Sequence, residues 1–132
     1  AGDFALERLS WTGRPPFEIL AIRAVKGGFE LEFTSPVERA AAATTAAYTV
    51  RSFTHIYQSA YGSPEVDGAD CPVERAEVSA DGRRVRLTVG NLRPCVIHEI
   101  KAAGVRSAGA EGVAAGLPPL HDTGWYTLNR LR

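Results

Sequence analysis

Apolar and polar residues alternate with a period of two along much of the chain. Phe29-Glu30-Leu31-Glu32-Phe33-Thr34 points one face at a core and the other at water, as a half-buried strand does. Arg84-Val85-Arg86-Leu87-Thr88-Val89 repeats the pattern. Each run follows a tight-turn signal. Lys26-Gly27-Gly28 separates residues 17–25 from 29–34, and Asp81-Gly82 separates 73–79 from 83–89, so two β-hairpins are expected. Further strands are expected over 6–12, 48–58, 96–104 and 125–131. The spacing of the turn signals is that of a sandwich of about eight strands. Phe29, Leu31, Phe33, Val85, Leu87 and Val89 are expected to share one core. One segment breaks the period: Pro36-Val37-Glu38-Arg39 and the alanine run to Ala47 predict a short helix crossing between the sheets. Ser35 is the candidate N-cap, and Thr44 and Thr45 weaken the far end. Residues 59–72 and 108–123 read as long loops, a class that is often functional or mobile. The reading is a single all-β domain over 1–132, an Ig-like or fibronectin-like β-sandwich with one short crossover helix.

Composition narrows the function classes. Hydrophobic residues make up 45% of the 132, enough for one real core. Fifteen basic residues balance fifteen acidic ones, so the excess of cations that nucleic acid requires is missing. The short basic run Arg83, Arg84, Arg86 reads as a solvated sheet face. No stretch approaches the ~20 apolar residues of a membrane helix. Ala1-Gly2-Asp3-Phe4 lacks the charged start and apolar run of a secretory leader, and the chain has no methionine, which is expected of a mature form or an excised domain.

The side chains capable of chemistry are dispersed. His55, His98 and His121 have no second ligand at metal-pair spacing. His98 shares a strand face with Val96 and Ile100 and reads as a core histidine. His121 and Asp122 are neighbours, but adjacent residues of an extended chain point to opposite sides and make a poor dyad. Ser63 lacks the surroundings of a nucleophile elbow and reads as a turn residue. Glu65, Asp67 and Asp70, with Gly68 available for a bend, are the candidate metal ligands; calcium takes several oxygens from one loop, although the spacing departs from the EF-hand. The competing account is a solvated acidic loop. Tyr57, Tyr61 and Trp125 are the candidate ligand-binding residues, as flat faces for sugar rings. Against this, Trp11 and Trp125 could pair as neighbouring strands and bury their rings. Cys71 and Cys95 match no metal or redox spacing. In an exported protein they are a candidate disulfide, and in a cytosolic one they are inert thiols.

Two resemblances bear on function. Residues 22–34 with Pro36-Val37, then Tyr48-Thr49-Val50, then residues 78–87 resemble a bacterial Ig-like repeat. Leu9-Ser10-Trp11-Thr12-Gly13, Tyr61-Gly62-Ser63, Leu92-Arg93-Pro94 and Trp125-Tyr126-Thr127-Leu128-Asn129, in that order, cover nearly the whole chain. Together they are similar to the C-terminal β-domain of large exported bacterial proteins, in which a sorbosone-dehydrogenase-like propeller, often with a c-type haem segment, accompanies such a domain. The resemblance implies a secreted or periplasmic accessory module beside a sugar- or alcohol-oxidising quinoprotein or haem domain. It implies no cofactor in this module, because the haem motif C-x-x-C-H is absent.

The function expected from the sequence is therefore non-catalytic, with the catalytic domain of the same polypeptide as partner. A carbohydrate-binding module acting on polysaccharide is the first alternative. A small enzyme or metal site on residues 59–72 is the second. Neither nucleic acid nor membrane insertion is expected.

Overall fold

The computed structural model describes residue 2 and residues 4–131; Ala1, Asp3 and Arg132 lie outside the described residues. Eight strands form two antiparallel sheets of four. They are β1 (Ile19–Val25), β2 (Gly28–Phe33), β3 (Thr49–His55), β4 (Glu65–Asp70), β5 (Val73–Val78), β6 (Arg84–Val89), β7 (Val96–Lys101) and β8 (Thr123–Leu128). The first sheet runs β1-β2-β6-β5 and the second β4-β3-β7-β8. The chain is an all-β sandwich, as its alternation predicts.

Both expected hairpins form. β1 pairs β2 across Lys26-Gly27, where Gly27 takes φ +75°, and β5 pairs β6 across a turn with Gly82 at φ +72°. Gly28 has a separate role: a Cβ there would overlap the Leu87 carbonyl oxygen, so only glycine lets β2 start this close to β6. The inward positions are those that the alternation marks. Phe29, Leu31, Val85 and Leu87 are fully buried, with Phe33 and Val89 nearly so. Phe17 stacks on Phe33 with centroids 5.6 Å apart, and Phe29 packs against His98 and Tyr126 of the second sheet.

The crossover is helical but shorter than expected. It comprises α1 (Arg39–Ala42) and a 3₁₀ turn, Thr45–Ala47. Ser35 is not the cap, because Val37 is held extended by a bridge to Ser107 and the helix cannot begin before it. Glu38 caps instead, its carboxylate accepting the Ala40 and Ala41 N–H groups at 3.0 and 2.7 Å. Tyr48 fixes the exit from the helical segment, its hydroxyl donating to the Ala42 carbonyl at 2.7 Å inside the core.

Two expectations about elements are corrected. Residues 65–70, expected within a loop, are strand β4 at the edge of the second sheet. Residues 6–12, expected as a strand, have no sheet partner among the described residues, and Phe4, Leu6, Leu9 and Trp11 lie on solvent. Trp11 and Trp125 are thus both exposed and do not bury one another.

Candidate functional site

Strand register sorts the charged side chains into rows. On the outer face of the first sheet, Arg23, Glu30, Arg86 and Glu77 stand side by side across β1, β2, β6 and β5, alternating in sign. Arg23 also reaches Glu32 at 2.5 Å. Of the expected basic run, Arg86 lies in this row and donates to the Lys26 carbonyl, Arg84 faces Asp81, and Arg83 pairs with Glu111 and donates to the Thr34 carbonyl. The charges of this face stand beside one another in alternating sign.

The outer face of the second sheet carries a tighter network. Trp125, Glu99, Arg51 and Asp70 form one cross-strand row. Arg51 bridges Glu99 at 2.8 Å and Glu65 at 2.8 Å, and the Trp125 indole N–H donates to Glu99 at 3.0 Å. The Arg51 guanidinium also lies 4.7 Å from the Phe53 ring centre, and His55 meets that ring edge-on. Phe53 is thereby buried although it points away from the main core. The hydrogen bonds from Arg51, aided by the one from Trp125, hold the Glu99 carboxyl below its ordinary range. The same contacts raise Arg51, so its charge is fixed.

A second polar group lies under the β3–β7 ladder. Ser52 and His98 are fully buried opposite one another. Arg93 donates to Ser52 Oγ at 2.9 and 3.0 Å and to the Asp67 carboxylate at 2.6 Å. Cys71 Sγ lies 3.5 Å from Ser52 Oγ. Burial pushes His98 below its ordinary pKa, and its Nδ1 has no hydrogen-bond partner among the described residues. This is the core histidine that the alternation predicts.

The candidate metal ligands do not converge. Glu65 is engaged by Arg51 and Asp67 by Arg93, while Asp70 ends β4 in the row of Arg51. No group of three His, Cys, Asp or Glu side chains suited to a metal exists among the described residues. The physical reason is the strand: β4 spreads its acids along an edge instead of folding them around a centre. Asp67 itself has φ +55°, at the point where the β3–β4 register shifts.

The candidate disulfide is not formed. Cys71 is buried and aims its sulfur at Ser52 and the Asn91 carbonyl, whereas Cys95 is exposed beside the Asn129 carbonyl. One side chain points into the molecule and the other out, which leaves two free thiols.

Tyr57 and Tyr61 are fully exposed beyond β3, and Trp125 is 59% exposed on β8. Tyr57 and Trp125 do not lie together. Tyr57 follows by six residues the Arg51 that shares a row with Trp125, a separation of about 20 Å along an extended chain. His55 and His121 are scattered too: His55 Nδ1 is 3.0 Å from the Ser63 carbonyl, and His121 Nδ1 is 2.6 Å from Glu18, not paired with its neighbour Asp122. At another place, an apolar groove of about 470 Å³ runs between Pro15, Pro16 and Phe17 and the loop residues Val113, Leu117 and Leu120. The networks centred on Arg51 and Arg93 are not apparent in the sequence. The one available signal is that Arg51 and Glu99 occupy polar positions of alternating strands, and only register brings them together.

No protein-family model matches the chain, and no curated protein matches it. Solved structures do. The chain is similar to the N-terminal part of the bacterial S-layer protein SbsC, with TM-score 0.63 and 17% identity, over 87% of this chain and 24% of that one. Domains 1–6 of the surface layer protein SbsC match with TM-score 0.62 at 17% identity, over 87% of this chain and 14% of that one. The S-layer protein rSbsC(31-844) matches with TM-score 0.60 at 16% identity, with the same two shares of 87% and 14%. The chain thus spans less than a quarter of each of these proteins. At such identity the likeness establishes a common fold.

Proposed function

We propose that the chain is a non-catalytic structural or docking module of a larger bacterial protein exported to the cell surface. The observation that carries this reading is the self-pairing of the charged side chains. Arg23, Arg51, Arg83 and Arg93 are each held by acids, and those acids are therefore not free to act on a substrate. Catalysis needs a base or nucleophile converging with donors on one reacting centre. Here the histidines are buried or dispersed, and the apolar groove is lined by proline, glycine, alanine and aliphatic residues and Phe17. The S-layer proteins of like fold support an exported module that is one unit among several.

The neighbouring unit is where chemistry would reside. The resemblance of residues 9–13, 61–63, 92–94 and 125–129 to the sorbosone-dehydrogenase-associated domain supports a sugar- or alcohol-oxidising quinoprotein or haem domain in that place. The test is to excise this module from the exported protein that carries it. The expected result is loss of cell-surface retention with the remaining domain's turnover unchanged. Loss of turnover with retention intact would contradict the reading.

Carbohydrate binding is the second reading, favoured by the full exposure of Tyr57 and Tyr61. Glycan-array binding lost on Tyr61→Ala would support it, and an array without signal would remove it.

A further inference from the structure

A sandwich of two open sheets has four edge strands, here β1, β5, β4 and β8. An open edge is a template for pairing with another chain, and monomeric proteins blunt it with charges, bulges or proline. Three of the four edges are blunted. In β4 and β5, six of the twelve residues are charged: Glu65, Asp67, Asp70, Glu74, Arg75 and Glu77. Both also slip register against their partners, as does β1 between Ile19 and Ala21. β8 differs on every count. Its sequence TGWYTL has no charge and no proline, and it pairs with β7 without a register shift from Val96–Leu128 to Lys101–Thr123. Beyond that ladder its backbone makes one bond, accepted by Leu128 from the Cys95 N–H, among the described residues.

The chain also carries an unpaired segment with the pattern of a strand. Residues 4–12 make no backbone hydrogen bond among the described residues. Phe4, Leu6 and Leu9 are fully exposed and Trp11 is 75% exposed. Four large apolar side chains on solvent within eight residues, with Glu7 and Arg8 between them, mark an interaction surface. Extended, residues 6–12 span about 23 Å, against about 20 Å for the six residues of β8. As a strand the segment would carry Leu9 and Trp11 on one face, two anchors for the edge of the receiving sheet.

We propose that β8 is a docking site for a second copy of this chain, whose residues 6–12 add to it as a fifth strand of the second sheet. Backbone hydrogen bonds would give the affinity, and alternate side chains the register. Within its own chain the segment stands clear of the sandwich, so the donor comes from a neighbour. Donor and acceptor are different surfaces, so the contact is head-to-tail and extends from copy to copy unless it closes into a ring.

Sedimentation equilibrium over a concentration series tests this with three proteins. The full chain should show a weight-average mass that rises above the 14.2 kDa of one chain. A chain lacking residues 1–12 should stay at the mass of one copy, as should Thr127→Lys, which puts a charge on the exposed β8 edge. Both should keep the circular dichroism and melting transition of the parent. Mixed together they should form a one-to-one complex, because one retains the edge and the other the segment. A full chain that stays monomeric throughout would overturn the proposal. So would association that survives loss of residues 1–12, the mark of β8 pairing with β8, or a mixture that fails to associate.

Discussion

His98 is a fully buried histidine. Burial against Phe29 keeps the ring neutral and its pKa below 6.5. The unfolded chain then binds a proton more readily than the folded one between those two values. The contribution of neutral His98 is fully present above about pH 6.5 and is lost as pH falls through the folded pKa. Urea denaturation from pH 7 to pH 5 should therefore show falling stability, and His98→Gln should flatten that slope. An unchanged slope in the variant would assign the loss to other groups. Glu99 acts in the same direction at lower pH. Held down chiefly by the hydrogen bonds from Arg51, it supports the fold above its ordinary pKa of 4.5 and ceases to do so as pH falls through the folded value. Leu87 tests the core itself: Leu87→Ala should cost about 2–5 kcal/mol. A loss under about 0.5 kcal/mol, usual for a surface position, would contradict its burial. Core residues such as Leu87 and His98 are legible in the sequence because alternation assigns them a face. Arg51 and Arg93 are not, because their partners Glu99 and Asp67 lie on other strands and depend on register.

Strands show why some elements are readable and others are not. The hairpins β1–β2 and β5–β6 combine alternation with a glycine turn, and both signals agree. β4 has little of either: three acids and Gly68 among six residues give it weak strand propensity, and only its edge position makes them tolerable. Residues 6–12 fail in the opposite way, since a strand pattern cannot form a strand without a partner. The candidate disulfide failed because spacing along the chain says nothing of side-chain direction. The two thiols should differ in the native state. Cys95 should react promptly with a thiol reagent, and Cys71 only on unfolding, for a total of two. No free thiols in unreduced, denatured protein would restore the bridge. At the helical crossover, Glu38→Ala removes the acceptor of two N–H groups and should cost about 0.5–2 kcal/mol in thermal or urea unfolding. No loss at all would show the cap to be idle.

Across the whole molecule, charge is spent on the sandwich itself. Rows of opposite sign cross both outer faces, and the net charge is zero. The large exposed apolar and aromatic side chains left over are Phe4, Leu6, Leu9 and Trp11, Trp125 on β8, Tyr57 and Tyr61, with the proline-lined groove besides. That inventory is the basis of the proposed structural or docking role. The most direct measurement of this claim is turnover by the purified chain against sugars, esters and quinone-linked alcohols. The predicted result is none above the uncatalysed rate. Turnover that disappears in His121→Ala or Glu18→Gln, with the melting transition preserved, would contradict it and make the His121–Glu18 pair an active site.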